Sequence, residues 1–344
     1  MSTNVSTTPV APPAVHDAPA GTSAPWDLSL TPNYADAMAI DTVHADQISE
    51  GDFYRHYVAQ NRPCHLVGAV AHWPAFQQWH DIGYLKQATG NAVVAVRSEP
   101  IWEFGPTASL DQGAIDRRNA AILEEMPLHD FLERVAQQPQ QLVLHSMPVA
   151  QGSPLQGLLK DIGKFQFLPR PGKSRAYVPL RAFCYRNSYT DWHFHPADEA
   201  LMTQVVGDKE VLLYPPDDQA WDALDPVRQA EGTLYGIDLA RFPKAGALRP
   251  YRAVVKAGDA LYIPVYWWHA VQSADDKFGI TVAATFGSPL HVAGDLRYPF
   301  ARRLVADLLR SRMMPLGLVA VAYSYLHRLG AMLSARAPKR AARS

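Results

Sequence analysis

The chain has 344 residues, enough to bury a large core as one big domain or as two modest ones. Its formal charge of −1 gives no electrostatic reason to expect nucleic acid as a partner. Two cysteines, Cys64 and Cys184, are too few for the disulfide framework of a small secreted protein and read as reduced thiols.

Residues 1–25 combine Ser, Thr, Pro, Ala and Gly, with neither the basic start nor the apolar stretch of a secretory signal. A disordered leader is expected there. From Trp26 to about Leu168, short strands and helices are mixed. Cys64-His-Leu-Val-Gly68 and Ala92-Val-Val-Ala-Val-Arg97 have the apolar, β-branched content of strands. Met126–Val135 places Leu128, Phe131, Leu132 and Val135 at helical spacing, and Leu142–His145 reads as another strand. Between Arg181 and Gly287 strand signals dominate, punctuated by turns at Pro215–Asp218 and Ala257–Asp259. Trp221–Arg252 shows no clear period and reads as a loop inserted between two barrel halves, where specificity is often carried.

The chain ends in helical pattern. Pro299 suits a first turn, and Phe300, Leu304, Val305, Leu308 and Leu309 form one apolar stripe. After Pro315 a second helix is expected to carry Leu316, Val319, Tyr323, Leu326 and Met332 or Leu333. Stripes this apolar need a covering surface, either their own domain or a second copy of the chain. A membrane surface is the third option, given the basic tail at 336–344. Met313–Leu326 is interrupted by Pro315 and falls short of the roughly 20 apolar residues that span a bilayer. A cytoplasmic protein without a membrane span is expected.

The most informative residues are His193, Phe194 and His195, followed by the run from Gly258 through Pro264 to His269. Two histidines one residue apart share a strand face, and a third that ends another strand-like run can close on them inside a barrel. Neutral imidazoles converging on one point suit iron, zinc, copper or nickel. A histidine taken alone is more often structural than a ligand. Here His193-x-His195-x-x-x-Glu199 followed by Gly207, and Gly258-x5-Pro264-x4-His269, have the shape of the two cupin motifs.

Val205-Val-Gly-Asp-Lys209-Glu-Val-Leu-Leu-Tyr-Pro215-Pro and Gly258-Asp-Ala-Leu-Tyr-Ile-Pro-Val-Tyr-Trp-Trp-His269 resemble the cupin-like Jumonji-C family. Within it the likeness is to the asparaginyl-hydroxylase branch that inhibits hypoxia-inducible factor. It runs from about Asn61 to Leu333, strongest over Thr190–Pro216 and Gly258–Phe286. Asn61–Pro74 also resembles the family's N-terminal strand and turn. The resemblance implies a mostly β fold, a double-stranded β-helix (jelly-roll or cupin barrel), with N-terminal α/β elements and C-terminal helices. A cupin-like domain over 26–290 with a barrel core near 181–287 follows, then a helical extension over 291–335 that dimerises. It also implies Fe(II), 2-oxoglutarate and hydroxylation of a peptide or protein side chain, with a small molecule as the other substrate class. By the same resemblance, His193 and His269 are metal ligands, and Thr190 and Lys209 bind the remote carboxylate of 2-oxoglutarate.

The sequence departs from that pattern where the family has its carboxylate ligand, a position held here by His195. The change removes an oxygen donor and makes the site more positive by one unit. A pocket tyrosine falls on Val143, and two pocket asparagines on Glu199 or Ala200 and on Ala283 or Ala284. Three arrangements follow. A carboxylate arrives from Asp191, Asp198 or Glu199; or His193, His195, His269 and Glu199 make the three-His-one-Glu set of cupins that need no keto acid; or His195 is no ligand and the site is weak. They correspond to an iron(II)/2-oxoglutarate oxygenase, a cosubstrate-independent cupin metalloenzyme, and a binding module on a decayed barrel. Trp192, Tyr266, Trp267 and Trp268 line a pocket or form plain core. His65, His72, His80, His129, His145 and His291 show no ligand spacing and read as structural or exposed.

Overall fold

The computed structural model describes residues 27–97, 123–138, 142–174, 177–195, 198–231, 234–288, 296 and 298–312, with scattered positions between 314 and 329. The expected leader, the basic tail and His291 lie outside these residues, as does the rest of the second C-terminal helix. The N-terminal part contains β1 (Met38–Ala39), β2 (Thr42–His44), α1 (Glu50–Phe53), β3 (Cys64–Val67), α2 (Pro74–Gln78) and α3 (Ile82–Ala88). It continues through β4 (Val93–Arg97), β5 (Leu123–Pro127), α4 (Leu128–Gln137) and β6 (Leu142–Pro148). Next come β7 (Leu180–Arg186), β8 (Tyr189–His193), β9 (Glu199–Val206), β10 (Lys209–Tyr214) and α5 (Asp218–Glu231). The last elements are β11 (Tyr251–Val255), β12 (Ala260–Ile263), β13 (Trp268–Ser273), β14 (Gly279–Phe286) and α6 (Pro299–Arg310).

The strands form a five-stranded sheet, β1-β11-β10-β13-β8, and a nine-stranded sheet, β2-β3-β12-β9-β14-β7-β6-β4-β5. They face each other as a double-stranded β-helix. Every residue of β10 is buried, which a strand shows only when both its faces are covered. Val211 and Leu213 point inward and pack with Val255 and Val271 against Met202, Leu261 and Ile263 of the large sheet. Leu212 and Tyr214 point outward and pack with Trp192 and Trp268 against Trp221, Leu224 and Val227 of α5. The large sheet is backed by the N-terminal elements, where Leu66, Trp73, Trp79 and Phe131 join Leu201, Val205 and Val282 in one cluster.

The segment expected to be a loop from Trp221 to Arg252 instead begins with most of a 14-residue helix, α5. Pro226, inside the helix, reads as a breaker, and the charged Arg228 hides the apolar stripe. Yet Ala220, Trp221, Leu224, Val227 and Arg228 are all buried at 3–4 spacing. The aromatic candidates are core: Trp192 and Trp268 pack under α5, and Tyr266 against Tyr298. No helix among the described residues is long and apolar enough to cross a membrane.

Two glycines matter to the barrel. Gly258 takes φ +98° in the turn into β12, a conformation that L side chains rarely adopt. Gly279 lies against Tyr185, whose ring atom Cζ would be 2.4 Å from an added Cβ. Tyr185 in turn lies under the Lys209 ammonium, 3.9 Å from ring centroid to nitrogen. Gly279→Ala is therefore expected to lower stability by about 1–3 kcal/mol through overpacking. Chemical denaturation of the variant beside the parent checks this.

Candidate metal centre

His193 closes β8 and His269 is the second residue of β13, and the two are directly paired across the strands. His195 lies two residues beyond β8, with its carbonyl accepting the Tyr266 N–H at 3.0 Å. The three rings converge, with centroids 4.1 Å apart for His193 and His269, 4.8 Å for His195 and His269, and 5.2 Å for His193 and His195. Each offers a ring nitrogen within 4.8 Å of the others. A neutral imidazole has one donor and one acceptor nitrogen. Nδ1 of His193 lies 2.8 Å from the Asp191 carbonyl and Nδ1 of His269 lies 2.9 Å from the Trp267 carbonyl. Those contacts fix Nδ1 as the donor and leave Nε2 with its lone pair toward the centre, the arrangement by which outer partners orient metal-ligating histidines. Nδ1 of His195 is buried with no hydrogen-bond partner. A buried nitrogen of this kind is costly unless something occupies it, and a divalent metal would. Burial pushes the pKa of all three well down, that of His269 to about 4, so the free imidazoles remain neutral at neutral pH, as ligation requires. Three neutral nitrogen donors fit Fe(II) among other first-row ions.

Behind the imidazoles lies a cavity of about 130 Å³ that Thr190, Lys209, Ala200, Ala283 and Met202 help to line. Its size is close to the roughly 150 Å³ that admits a benzene-sized guest. The Thr190 hydroxyl accepts the Val271 N–H at 3.1 Å, which frees its own proton to donate into the cavity. Lys209 is buried, and no carboxylate among the described residues lies within ion-pair distance of it. Burial lowers its pKa to about 7. Of the alternatives left open for the asparagine positions, Ala200 and Ala283 are the pair that reach the cavity. Val143 is buried outside it, and His145, two residues along β6, forms part of the wall instead. His145 belongs to the site's surroundings although its sequence spacing gives no sign of it.

None of the three candidate carboxylates joins the imidazoles among the described residues. Glu199, expected as a fourth ligand, is fully buried outside the cluster. It accepts from the Tyr262 hydroxyl at 2.8 Å, the Val265 N–H at 3.0 Å and the Ser288 hydroxyl. Asp198 accepts from Ser174 Oγ at 2.8 Å and from the Tyr177 N–H at 3.1 Å. Asp191, expected on the same face as His193, is displaced by a β-bulge. Between paired positions β13 advances two residues, His269 to Val271, while β8 advances three, Thr190 to His193. The extra residue breaks the alternation, so Thr190 and His193 both face the cavity, and Asp191 instead interacts electrostatically with Arg228 of α5.

Sequence reading also passed over Arg181 and Tyr177. Arg181 stands near the start of β7, and its guanidinium lies 4.4 Å from the centre of the Tyr177 ring, which is itself 5.7 Å from the ring of His195. Arg181 and Phe183, two apart on β7, both line the cavity. A charged residue on the inward face of a barrel strand was the available signal.

Residues 50–288 match the family described as "Cupin-like domain". The chain is 27% identical over 285 residues to the human bifunctional peptidase and (3S)-lysyl hydroxylase JMJD7, covering 73% of this chain and 84% of that protein. It is 24% identical to Jumonji C domain-containing protein 5 of Drosophila melanogaster, over 70% of this chain and 59% of that longer protein. It is also 24% identical to human tRNA wybutosine-synthesizing protein 5, over 68% of this chain and 74% of that protein. Because Glu199 is not part of the histidine cluster and its carboxylate is bonded elsewhere, Glu199→Ala is expected to retain one metal equivalent. Leaving three buried donors unpaired should lower its stability by about 2–4 kcal/mol. Metal analysis and urea unfolding of the same sample read both effects, and loss of the metal would return Glu199 to the ligand set.

Proposed function

The chain belongs to the cupin-like Jumonji-C family, and we propose that its three-imidazole centre serves an Fe(II)- and 2-oxoglutarate-dependent hydroxylase. The observation that carries this reading is Lys209, a buried ammonium in the same cavity as the imidazoles with no carboxylate within ion-pair distance among the described residues. A buried cation calls for an anionic partner. Lys209 and the donating Thr190 hydroxyl would hold one carboxylate of the keto acid, while His193, His195 and His269 hold the metal. With both bound, the chemistry supplied is R–H + 2-oxoglutarate + O2 giving R–OH + succinate + CO2. The chain's own contribution is the ligand geometry fixed by backbone carbonyls, a cavity walled by Met202, Ile263 and Val271, and the carboxylate clamp. The substrate group is a peptide side chain or a small molecule. The second reading, a cupin oxygenase working without a keto acid, is favoured by the missing carboxylate ligand.

One titration separates them. Anaerobic Fe(II)-loaded protein is expected to develop a saturable visible charge-transfer band with 2-oxoglutarate, and Lys209→Met to need at least tenfold more keto acid. Because Lys209 titrates near 7 when the cavity is empty, affinity should weaken as pH rises above that value and its ammonium is lost. No band with iron bound would favour the second reading.

We also propose that the C-terminal helices pair two copies of the chain. Leu318, Val319, Tyr325, Leu326 and Leu329 recur at helical spacing and each is more than half exposed. Light scattering is expected to give twice the chain mass of 38.0 kDa, and Val319→Glu with Leu326→Glu to give the monomer. The two cysteines are buried and unpaired, and burial holds both thiols at about 12, which suits a reducing compartment such as the cytoplasm.

A further inference from the structure

The cavity contains a second cation, Arg181, that the keto acid does not account for. The turns after β7 and β9, which cross from the large sheet to the small one, and the turn between β13 and β14 lie at one end of the barrel. Lys209 follows the turn after β9 directly. The histidine pair lies at the other end, where β8 finishes and β13 begins, and Arg181, second residue of β7, stands on that side. It is paired with Ala283, which is paired in turn with Met202, so all three belong to one layer of the wall near the mouth. Lys209 is thus at the floor and Arg181 at the mouth.

Arg181 is set up as a recognition group and not as part of a structural ion pair. Tyr177 supports the face of its guanidinium, and Nη1 donates to Ser146 Oγ at 3.0 Å. Its Nε is buried without an acceptor. No carboxylate among the described residues lies within ion-pair distance. Asp198, which contributes a charge nearby, is held by Ser174 and the Tyr177 N–H. A planar guanidinium with one edge occupied retains the fork geometry that matches a carboxylate. Charge balance points the same way. Three neutral imidazoles leave both charges of a divalent metal uncompensated, and Lys209 and Arg181 add two more. A dicarboxylate keto acid cancels two of these four and the Asp198 charge felt at Arg181 offsets one more, which leaves a positive charge for a further anion.

From this arrangement we infer that the substrate presented to the centre bears a carboxylate, which Arg181 holds at the mouth while Lys209 holds the cosubstrate at the floor. The inference rests on the hydroxylase reading above. It sets this chain apart from a relative named for lysyl hydroxylation, because an ammonium side chain would enter an already positive mouth.

The test uses capped amino acids that differ in charge: N-acetyl amides of glutamate, glutamine and lysine, with benzoate as a free small acid. Each is titrated into the full-length, Fe(II)-loaded protein under anaerobic conditions, with and without saturating 2-oxoglutarate. Binding is followed by ligand-observed NMR and by perturbation of the charge-transfer band. At least one carboxylate is expected to bind tenfold or more tightly than the glutamine amide, with the lysine amide weakest. Preference for the capped glutamate indicates an acidic side chain, and preference for benzoate a free acid. Arg181→Gln should abolish that preference while 2-oxoglutarate saturates as in the parent, and Arg181→Lys should retain part of it. Equal binding of the three amides, or an unchanged preference in Arg181→Gln, overturns the inference. So does loss of the keto acid in Arg181→Gln, which would make Arg181 its anchor. The charge series on the parent protein needs no variant to fold. If no charge-transfer band forms but carboxylates still require Arg181, the keto-acid reading fails and the anion site stands.

Discussion

The pairing of His193 with His269 across β8 and β13 is the constraint on which the mouth of this barrel depends. Direct cross-strand partners bring their side chains within about 5 Å without help from any loop. The imidazoles that begin as neighbours in a sheet therefore need only their rotation fixed, and two backbone carbonyls do that. The bulge in β8 is the second half of the same device. By inserting one residue opposite His269–Val271, it turns Thr190 and His193 to one side although an odd number of steps separates them. One local irregularity thus places one histidine of the cluster and a hydroxyl donor on the same wall, and sends the one carboxylate of the strand toward Arg228.

The loop between β12 and β13 transmits this constraint to the rest of the chain. Its Trp267 carbonyl orients His269, so the loop must not shift. Three residues hold it. Glu199 accepts the Val265 N–H, and Asn61 donates to the Val265 carbonyl at 3.1 Å and receives the Trp267 indole N–H at 2.8 Å. The third, His195, accepts the Tyr266 N–H and ties the loop to another member of the histidine cluster. Tyr266 itself has φ +68°, an uncommon conformation for a side chain of that size, and the surrounding contacts over-determine it. Asn61 comes from the N-terminal part of the domain and Glu199 from β9, and both are buried. This is why the N-terminal strand and turn belong to the same folding unit as the barrel.

The motif residues were legible because they obey short-range rules. A turn glycine with positive φ at Gly258, two histidines at strand spacing and a third after Pro264 announce a barrel whose mouth gathers three histidines, and the strand runs around them read correctly by composition. What escaped was anything set by a break in those rules. Asp191 lies at an even spacing from His193 that a regular strand would turn inward, and no residue type marks the bulge that prevents it. Glu199 lies at cupin spacing, but its carboxylate is consumed by Tyr262, Val265 and Ser288, all of them more than sixty residues away in the chain. α5 was hidden by Pro226 and Arg228. The arginine that spoils its stripe is buried because it reaches the Trp192 carbonyl beside His193.

The exchange of a carboxylate for His195 also has consequences beyond the ligand count. A ligand carboxylate would offset one metal charge and weaken the field felt by anything entering the mouth. With three imidazoles that offset is absent from the ligand set, and the nearby carboxylates sit outside it: Glu199 is held by Tyr262, and Asp198 acts on Arg181. In a site shielded from water such charges act over several ångströms with little screening. The same cavity nonetheless keeps Lys209 and adds Arg181, so its positive character extends from floor to mouth. A site of this kind is organised around anions: its affinity for them rises with each uncompensated cation, and its tolerance of cationic groups falls in step.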